Sequence, residues 1–229
     1  MAHSYGENVF PLVFLVKSSD LVHWTPMGSL RLATDAENNF IDCPQWIVDP
    51  AGNVRLIACV DNHHHWVDIH PLRQDPETWG NQANWSEITT FTDHNGKALI
   101  QGNSFVALQN GTYYMAFNDI RSTVYYMRTS TDLTSGWSEA RQLNLDSTVN
   151  RGDSLNLVFL SDGTLRYYIS NGNSIKYVIW HVDSPDLGIT WTAPEVLSVD
   201  GFKPPGINWV EVVRLTNTDA ITAIVAAGG

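Results

Sequence analysis

The sequence predicts an all-β protein of the β-propeller type, with four blades of four strands in a single domain spanning residues 1–229. Three observations lead there. A strand–turn–strand pattern recurs at a period of about 55 residues, a Ser/Thr-x-Asp-Leu…Trp signature recurs at the same period, and no segment carries a sustained apolar stripe of helical period. Four short strands per long repeat is the arithmetic of a propeller; a β-sandwich has frequent turns but no such repeat.

The first pattern appears as WIVDPAGNVRLIACV (46–60), FVALQNGTYYMAF (105–117), LVFLSDGTLRYYIS (157–170) and VVRLTNTDAITAIVA (212–226). Each is an apolar strand, a turn rich in Asn, Asp or Gly, and a second strand. Those residues tolerate the backbone of tight hairpins. The turns begin near Asp49, Gln109, Ser161 and Thr216, at spacings of 60, 52 and 55, and counting from Thr216 through the C-terminus back to Asp49 gives 62. The repeat therefore closes on itself around the chain.

The second signature follows later in each unit: SSDLVHWTP (18–26), STDLTSGWSEA (130–140) and SPDLGITWTAP (184–194), with a loose version, RQDPETW (73–79). Trp24, Trp79, Trp137 and Trp191 lie 55, 58 and 54 residues apart. SPDLGITW also fits the Asp-box pattern, in which the Asp binds turn amides and the Trp packs inward, a structural role. The phase of the repeat assigns two inner strands, 208–215 and 220–227, to the C-terminus and two outer ones, near 10–18 and 24–32, to the N-terminus. Paired, they complete a fourth blade; a truncated five-bladed ring is the alternative.

Composition narrows the function classes. The net charge is −11 with 13 basic residues, none in a run, which argues against phosphate-neutralising nucleic-acid binding. No apolar stretch approaches the roughly 20 residues of a membrane span. VFPLVFLV (9–16) lacks a basic leader and a cleavage site and reads as a strand, so no signal peptide is expected, with cytoplasmic and processed secreted locations both open. Cys43 and Cys59 read as two buried thiols rather than a bridge. Asn84-Trp-Ser and Asn110-Gly-Thr are sequons that matter on export. A monomer with a sugar or other small-molecule ligand, and no cofactor, is expected.

Propeller geometry selects the site residues. Each blade's first strand starts at the axis on one face, and the loop between its second and third strands returns there. The strand starts are Asp42-Cys43-Pro44-Gln45, Gln101-Gly102-Asn103-Ser104, Arg151-Gly152-Asp153-Ser154 and Asn208-Trp209-Val210-Glu211. The returning loops hold His63, His64, His65 and Trp66, then Asn118 and Arg121, then Asn171. Asp42, Asp153 and Glu211 are the candidate catalytic carboxylates, since glycoside hydrolysis needs two carboxyls flanking the bond, with one held protonated. The substrate-contact candidates are His63, His64, His65, Asn103, Asn118, Arg121, Arg151, Asn171, Asn208 and Trp209. No metal is expected, although His63 and His65, with Asp42 or His3, form a weak zinc-like donor set. Trp46, Trp66, Trp180 and Trp209 are candidate stacking surfaces.

The motifs resemble the propeller glycosidases that act on furanosides and pentosides, the arabinosidase/xylosidase and invertase/levanase families. SSDLVHW (18–24) is similar to a segment of both, DCPQWIVDPAGNVRLI (42–57) resembles the Glu-Cys-Pro segment of the invertase type with Asp42 in place of Glu, and GTYYMAFND (111–119) resembles an inner strand of the arabinosidase type. The resemblance implies a glycosidase-like enzyme acting on a furanoside or pentoside in a central carboxylate-lined pocket. Those families have five blades and an N-terminal Asn-Asp-Pro-Asn-Gly blade; this sequence counts four and contains neither that motif nor Arg-Asp-Pro. Two alternatives therefore stand: a scaffold recruited for non-hydrolytic cyclisation or isomerisation of a small molecule, and a lectin-like module. The four strand starts differ, which favours one composite site over a lectin site in every blade.

Overall fold

A computed structural model describes residues 12–20, 22–32, 41–60, 65–118, 124–149, 152–170, 179–197, 207–214 and 221–227; at Asp42, 207–214 and 221–227 the description is of the backbone. The strands in chain order are β1 (Leu12–Lys17), β2 (Thr25–Arg31), β3 (Ile41–Val48), β4 (Val54–Val60), β5 (His65–Ile69), β6 (Thr89–Thr90), β7 (Ser104–Gln109), β8 (Thr112–Asn118), β9 (Tyr125–Ser130), β10 (Arg141–Gln142), β11 (Ser154–Phe159), β12 (Leu165–Ser170), β13 (Ile179–Ser184), β14 (Glu195–Val196), β15 (Ile207–Arg214) and β16 (Ile221–Ala227). Helix is confined, among the described residues, to three single 3-10 turns. None of them is long and apolar enough to cross a membrane.

Within three four-stranded sheets the strands pair as the repeat predicts. Three antiparallel sheets run β3–β4–β5–β6, β7–β8–β9–β10 and β11–β12–β13–β14, each meandering in chain order. β1–β2 and β15–β16 form two further hairpins, each a two-stranded sheet. The chain divides into two compact units, residues 1–100 with 133–135, and residues 101–132 with 136–229.

The turns follow local chemistry. Asn110 and Gly111 both take positive φ (49° and 76°), as a two-residue type I′ hairpin requires between β7 and β8. Between β3 and β4, the Asp49 carboxylate accepts from the Ala51 and Asn53 amides at 3.0 and 2.8 Å. In the Asp box after β13, Asp186 Oδ1 accepts from the Thr190 amide at 2.8 Å, and the Ser184 hydroxyl accepts from the Gly188 amide at 2.6 Å. The Thr190 amide and hydroxyl lower the Asp186 carboxyl to about 2. Trp191 is half-buried and donates its indole N–H to Gly188 O at 3.1 Å. Its counterpart Trp137 is fully buried, whereas Trp24 is 44% exposed.

Second strands are buried on both faces: every residue of Leu56–Val60 in β4 and Tyr113–Phe117 in β8 is buried. Such strands are continuous apolar runs because neither side meets water. In the first unit, Val13, Leu15, Leu30 and Leu32 pack with Leu56, Ala58, Val60, Val67, Ile69 and Trp85. Gly28 and Gly80 are required there, since a Cβ on Gly28 would lie 2.2 Å from Gly80 O and one on Gly80 2.1 Å from Met27 O. In the second unit β11 packs beside β7 and β15.

Paired charges tie second strands to third ones. Arg55 on β4 binds the fully buried Asp68 on β5 through two bonds of 2.9 and 2.5 Å. Arg166 on β12 binds Asp183 on β13 in the same forked way, at 2.7 and 2.6 Å. Cys43 and Cys59 are both buried thiols with no disulfide between them, as expected.

Candidate functional site

In the second unit one end of the sheets gathers the start of β11, the ends of β8 and β12, and the start of β9. β11 opens on a register shift between Ser154 and Asn156. The shift leaves Asp153 just outside the ladder with its side chain exposed. Its backbone is fixed on both sides: the Asp153 amide donates to Ser170 Oγ at 3.1 Å, and Asp153 O accepts from the Ser170 amide at 2.9 Å. A carboxylate held in place by its own main chain and open to solvent is positioned for a ligand.

Beneath it lies a buried hydroxyl web. The Tyr125 hydroxyl donates toward Gly152 O at 2.6 Å and Val149 O at 3.0 Å, and accepts from the Gly152 amide at 3.0 Å. Burial pushes the Tyr125 phenol well above its usual range, and the nearby Asp153 charge pushes the same way, so it stays protonated at neutral pH. Gly152 fits against Ser170 so closely that a Cβ would lie 1.2 Å from the Ser170 carbonyl oxygen. The buried Ser154 hydroxyl makes a short bond with the Tyr167 hydroxyl and donates to Asn118 Oδ1 at 3.4 Å. Asn118 is thereby oriented at the end of β8, half-buried.

The other predicted residues fall as follows. Asn103 is half-buried just before β7, where the Ser104 hydroxyl donates to Gly102 O at 2.8 Å. Glu211, Asn208 and Trp209 all lie in β15, whose backbone is described. Glu211 is the fifth residue of that strand. At about 3.3 Å per residue this sets it roughly 13 Å along from Ile207, whereas Asp153 immediately precedes its own strand. In the first unit, Asp42 lies opposite Cys59 and His65 opposite Val60, so β3 and β5 bring their backbones to the same end of one sheet. Cys43, between Asp42 and Pro44, takes φ 49° in the register shift there. His65 is half-buried. His3, His63, His64, Arg121, Arg151 and Asn171 lie outside the described residues.

The aromatic candidates separate. Trp66 is fully buried against Phe91 and offers no ligand face. Trp46 is 44% exposed and stacks on Trp79 at 5.5 Å. Trp180 is half-buried, and the Trp209 side chain lies outside the description. Among the described residues no three His, Cys, Asp or Glu side chains come together as a metal would need.

Sequence reasoning passed over Gln101, two residues ahead of Asn103. It is 4% exposed, and among the described residues neither its amide nitrogen nor its amide oxygen has a partner. A buried carboxamide without partners costs about 1–3 kcal/mol, which a ligand hydroxyl would offset. Its position at a strand start was the available signal.

No family model matches the chain. No curated protein matches it in sequence either. Solved structures do match in fold. An exo-β-1,3-galactanase from Clostridium thermocellum is 16% identical with a TM-score of 0.58, covering 83% of this chain and 43% of its own. A protein from Parabacteroides distasonis assigned as a glycoside hydrolase is 16% identical with a TM-score of 0.53, covering 93% of this chain and 76% of its own. A β-1,3-galactosidase of glycoside hydrolase family 43 is 13% identical with a TM-score of 0.52, covering 69% of this chain and 34% of its own. This chain thus spans less than half the length of the galactanase and the galactosidase. At these identities the likeness is one of fold, and the fold is that of the family 43 propeller glycosidases.

Proposed function

We propose that the protein is a glycoside hydrolase-like enzyme that acts on a furanoside or pentoside by carboxylate acid/base chemistry. The observation that carries this is Asp153: an exposed carboxylate at a strand mouth, its main chain locked to Ser170, beside hydroxyl and carboxamide groups suited to sugar hydroxyls. In such chemistry one carboxyl protonates the departing oxygen, while a second activates water or attacks the anomeric carbon. Asp153 is the first candidate for one of these roles. The remaining predicted carboxylates are Glu211, in the same unit, and Asp42, in the other. The position of Glu211 along β15 ranks it after Asp153. Asn118, held by Ser154, and Gln101, buried and without a partner among the described residues, serve as hydroxyl-binding carboxamides.

The test is turnover of aryl α-L-arabinofuranoside, aryl β-D-xyloside and aryl β-D-galactoside. The last is included because the fold's solved examples name galactose linkages. Wild type should turn over at least one, and Asp153→Asn should lower kcat by roughly 10²–10⁴-fold, the usual contribution of a general acid or base. Asp42→Asn and Glu211→Gln then identify the second carboxyl. Absence of turnover by wild type, or an unaffected Asp153→Asn, removes the hydrolase reading.

A further inference from the structure

Beside the strand mouth, sharing Tyr125 with it, the second unit carries a cleft of about 570 Å³. One wall is the β9–β10 side, with Val124, Tyr125, Gln142 and the stretch Leu143–Asp146. The other is the segment after the Asp box, Trp191, Thr192 and Ala193. Its volume falls within the roughly 300–1,000 Å³ typical of small-molecule sites.

Both walls are anchored. The Leu143 amide donates to Tyr125 O at 2.8 Å, and the Thr192 amide to Asp183 O at 2.9 Å. The walls meet at Gly188, so closely that a Cβ there would lie 2.7 Å from Met127 Sδ and 3.3 Å from an Arg141 guanidinium nitrogen. The Trp191 indole is fixed as well, through its bond to Gly188 O and its tilted contact with Tyr167 at 6.2 Å. The cleft is therefore formed before any ligand arrives, which reduces the ordering cost of binding.

The lining specifies the ligand class. Among the described residues it contains no Lys or Arg and one acid, Asp146, so a phosphate or carboxylate ligand meets no countercharge from them. A purely apolar ligand would strip water from Gln142, Asn144, Asp146 and Thr192 without replacing those bonds. An immobilised indole beside carboxamides, a carboxylate and a hydroxyl suits a molecule with apolar C–H faces and a girdle of neutral hydroxyls. We propose that this cleft is a saccharide-binding site adjoining the strand mouth, holding a neutral polysaccharide chain by Trp191, Gln142 and Asn144, none of which belongs to the mouth. It adds a place to grip the chain and does not require that the protein cleave it.

Affinity electrophoresis tests this, using native gels that contain arabinan, arabinogalactan or xylan, with polygalacturonate as the anionic comparison. Wild type should be retarded by at least one neutral polymer and not by polygalacturonate. Gln142→Ala/Asn144→Ala should weaken retardation about tenfold, as expected for two lost neutral hydrogen bonds. Ala193→Trp, which fills the cleft from an exposed position, should abolish it. Both variants change exposed side chains, and circular dichroism confirms that each is folded. Failure of every neutral polymer to retard wild type overturns the proposal, as does retardation by polygalacturonate alone or equal retardation of wild type and both variants. Turnover of aryl glycosides, measured in parallel, should be unchanged in both variants. Its absence in all three proteins would bear on the hydrolase reading and leave this site to the gels.

Discussion

Replacing Tyr125 with Phe isolates the hydroxyl web under Asp153. The ring remains, so the packing against Tyr167 at 5.9 Å is kept and no cavity larger than one oxygen forms. What disappears is a donor to Val149 O and Gly152 O and the acceptor for the Gly152 amide. Tyr125 is 2% exposed, so water is poorly placed to substitute. An orphaned buried amide costs about 1–3 kcal/mol and a lost neutral hydrogen bond about 1 kcal/mol, so the expected loss is about 2–3 kcal/mol. In a chain of this size that lowers Tm by roughly 4–12 °C. Urea unfolding followed by near-ultraviolet circular dichroism should show a lower midpoint at an unchanged slope. Tyr126→Phe is the control: that ring stacks on Phe117 at 5.6 Å, and its hydroxyl has no hydrogen bond among the described residues. Equal stability of the two variants would refute the reasoning.

Two further outcomes follow from the same structure. Burial opposes ionisation of Asp183, but the forked Arg166 bonds and the neighbouring His181 outweigh it and hold the carboxyl well below the usual carboxylate range. A lowered native pKa gives stability that is complete above the unfolded value near 3.9 and is lost as pH falls through the native one. Asp183→Asn should therefore cost about 1–3 kcal/mol at pH 6, reduced from a fully buried pair by the 21% exposure of each side chain. The gap from wild type should narrow below about pH 4 in parallel melts; a pH-independent gap contradicts the assignment. Cys43 and Cys59 are not bridged and are at most 1% exposed. A thiol reagent should find none in the native protein and both after denaturation without reductant, and a count of zero after denaturation would mean a bridge.

What the sequence revealed and what it concealed divides by range. The Asn110–Gly111 turn and the Asp186 loop were legible because their bonds close within a few residues, between side chains and backbone amides of known preference. Strand limits were legible to within a residue or two wherever such turns punctuate them. The web around Asp153 was not, because Tyr125 reaches Gly152 across 27 positions and Gly152 is demanded by the carbonyl of Ser170. Trp66 misled for a related reason. Four of the five residues of β5 are buried, so alternation has no meaning there and a stacking indole looks the same in sequence as a core one. The partnerless amide of Gln101 is a property of its surroundings that composition and spacing do not encode.

The outermost strands of the three complete sheets, β6, β10 and β14, are two residues long. An edge that short exposes too few free amides and carbonyls to template another chain, and a long flat one invites edge-to-edge pairing. The rim of these sheets is thus guarded against aggregation by brevity, without the lysines or prolines that longer edges enlist. Surface substitutions that extend β10 toward Asn144, such as Val or Ile in place of polar residues, would be the ones to make this protein sticky.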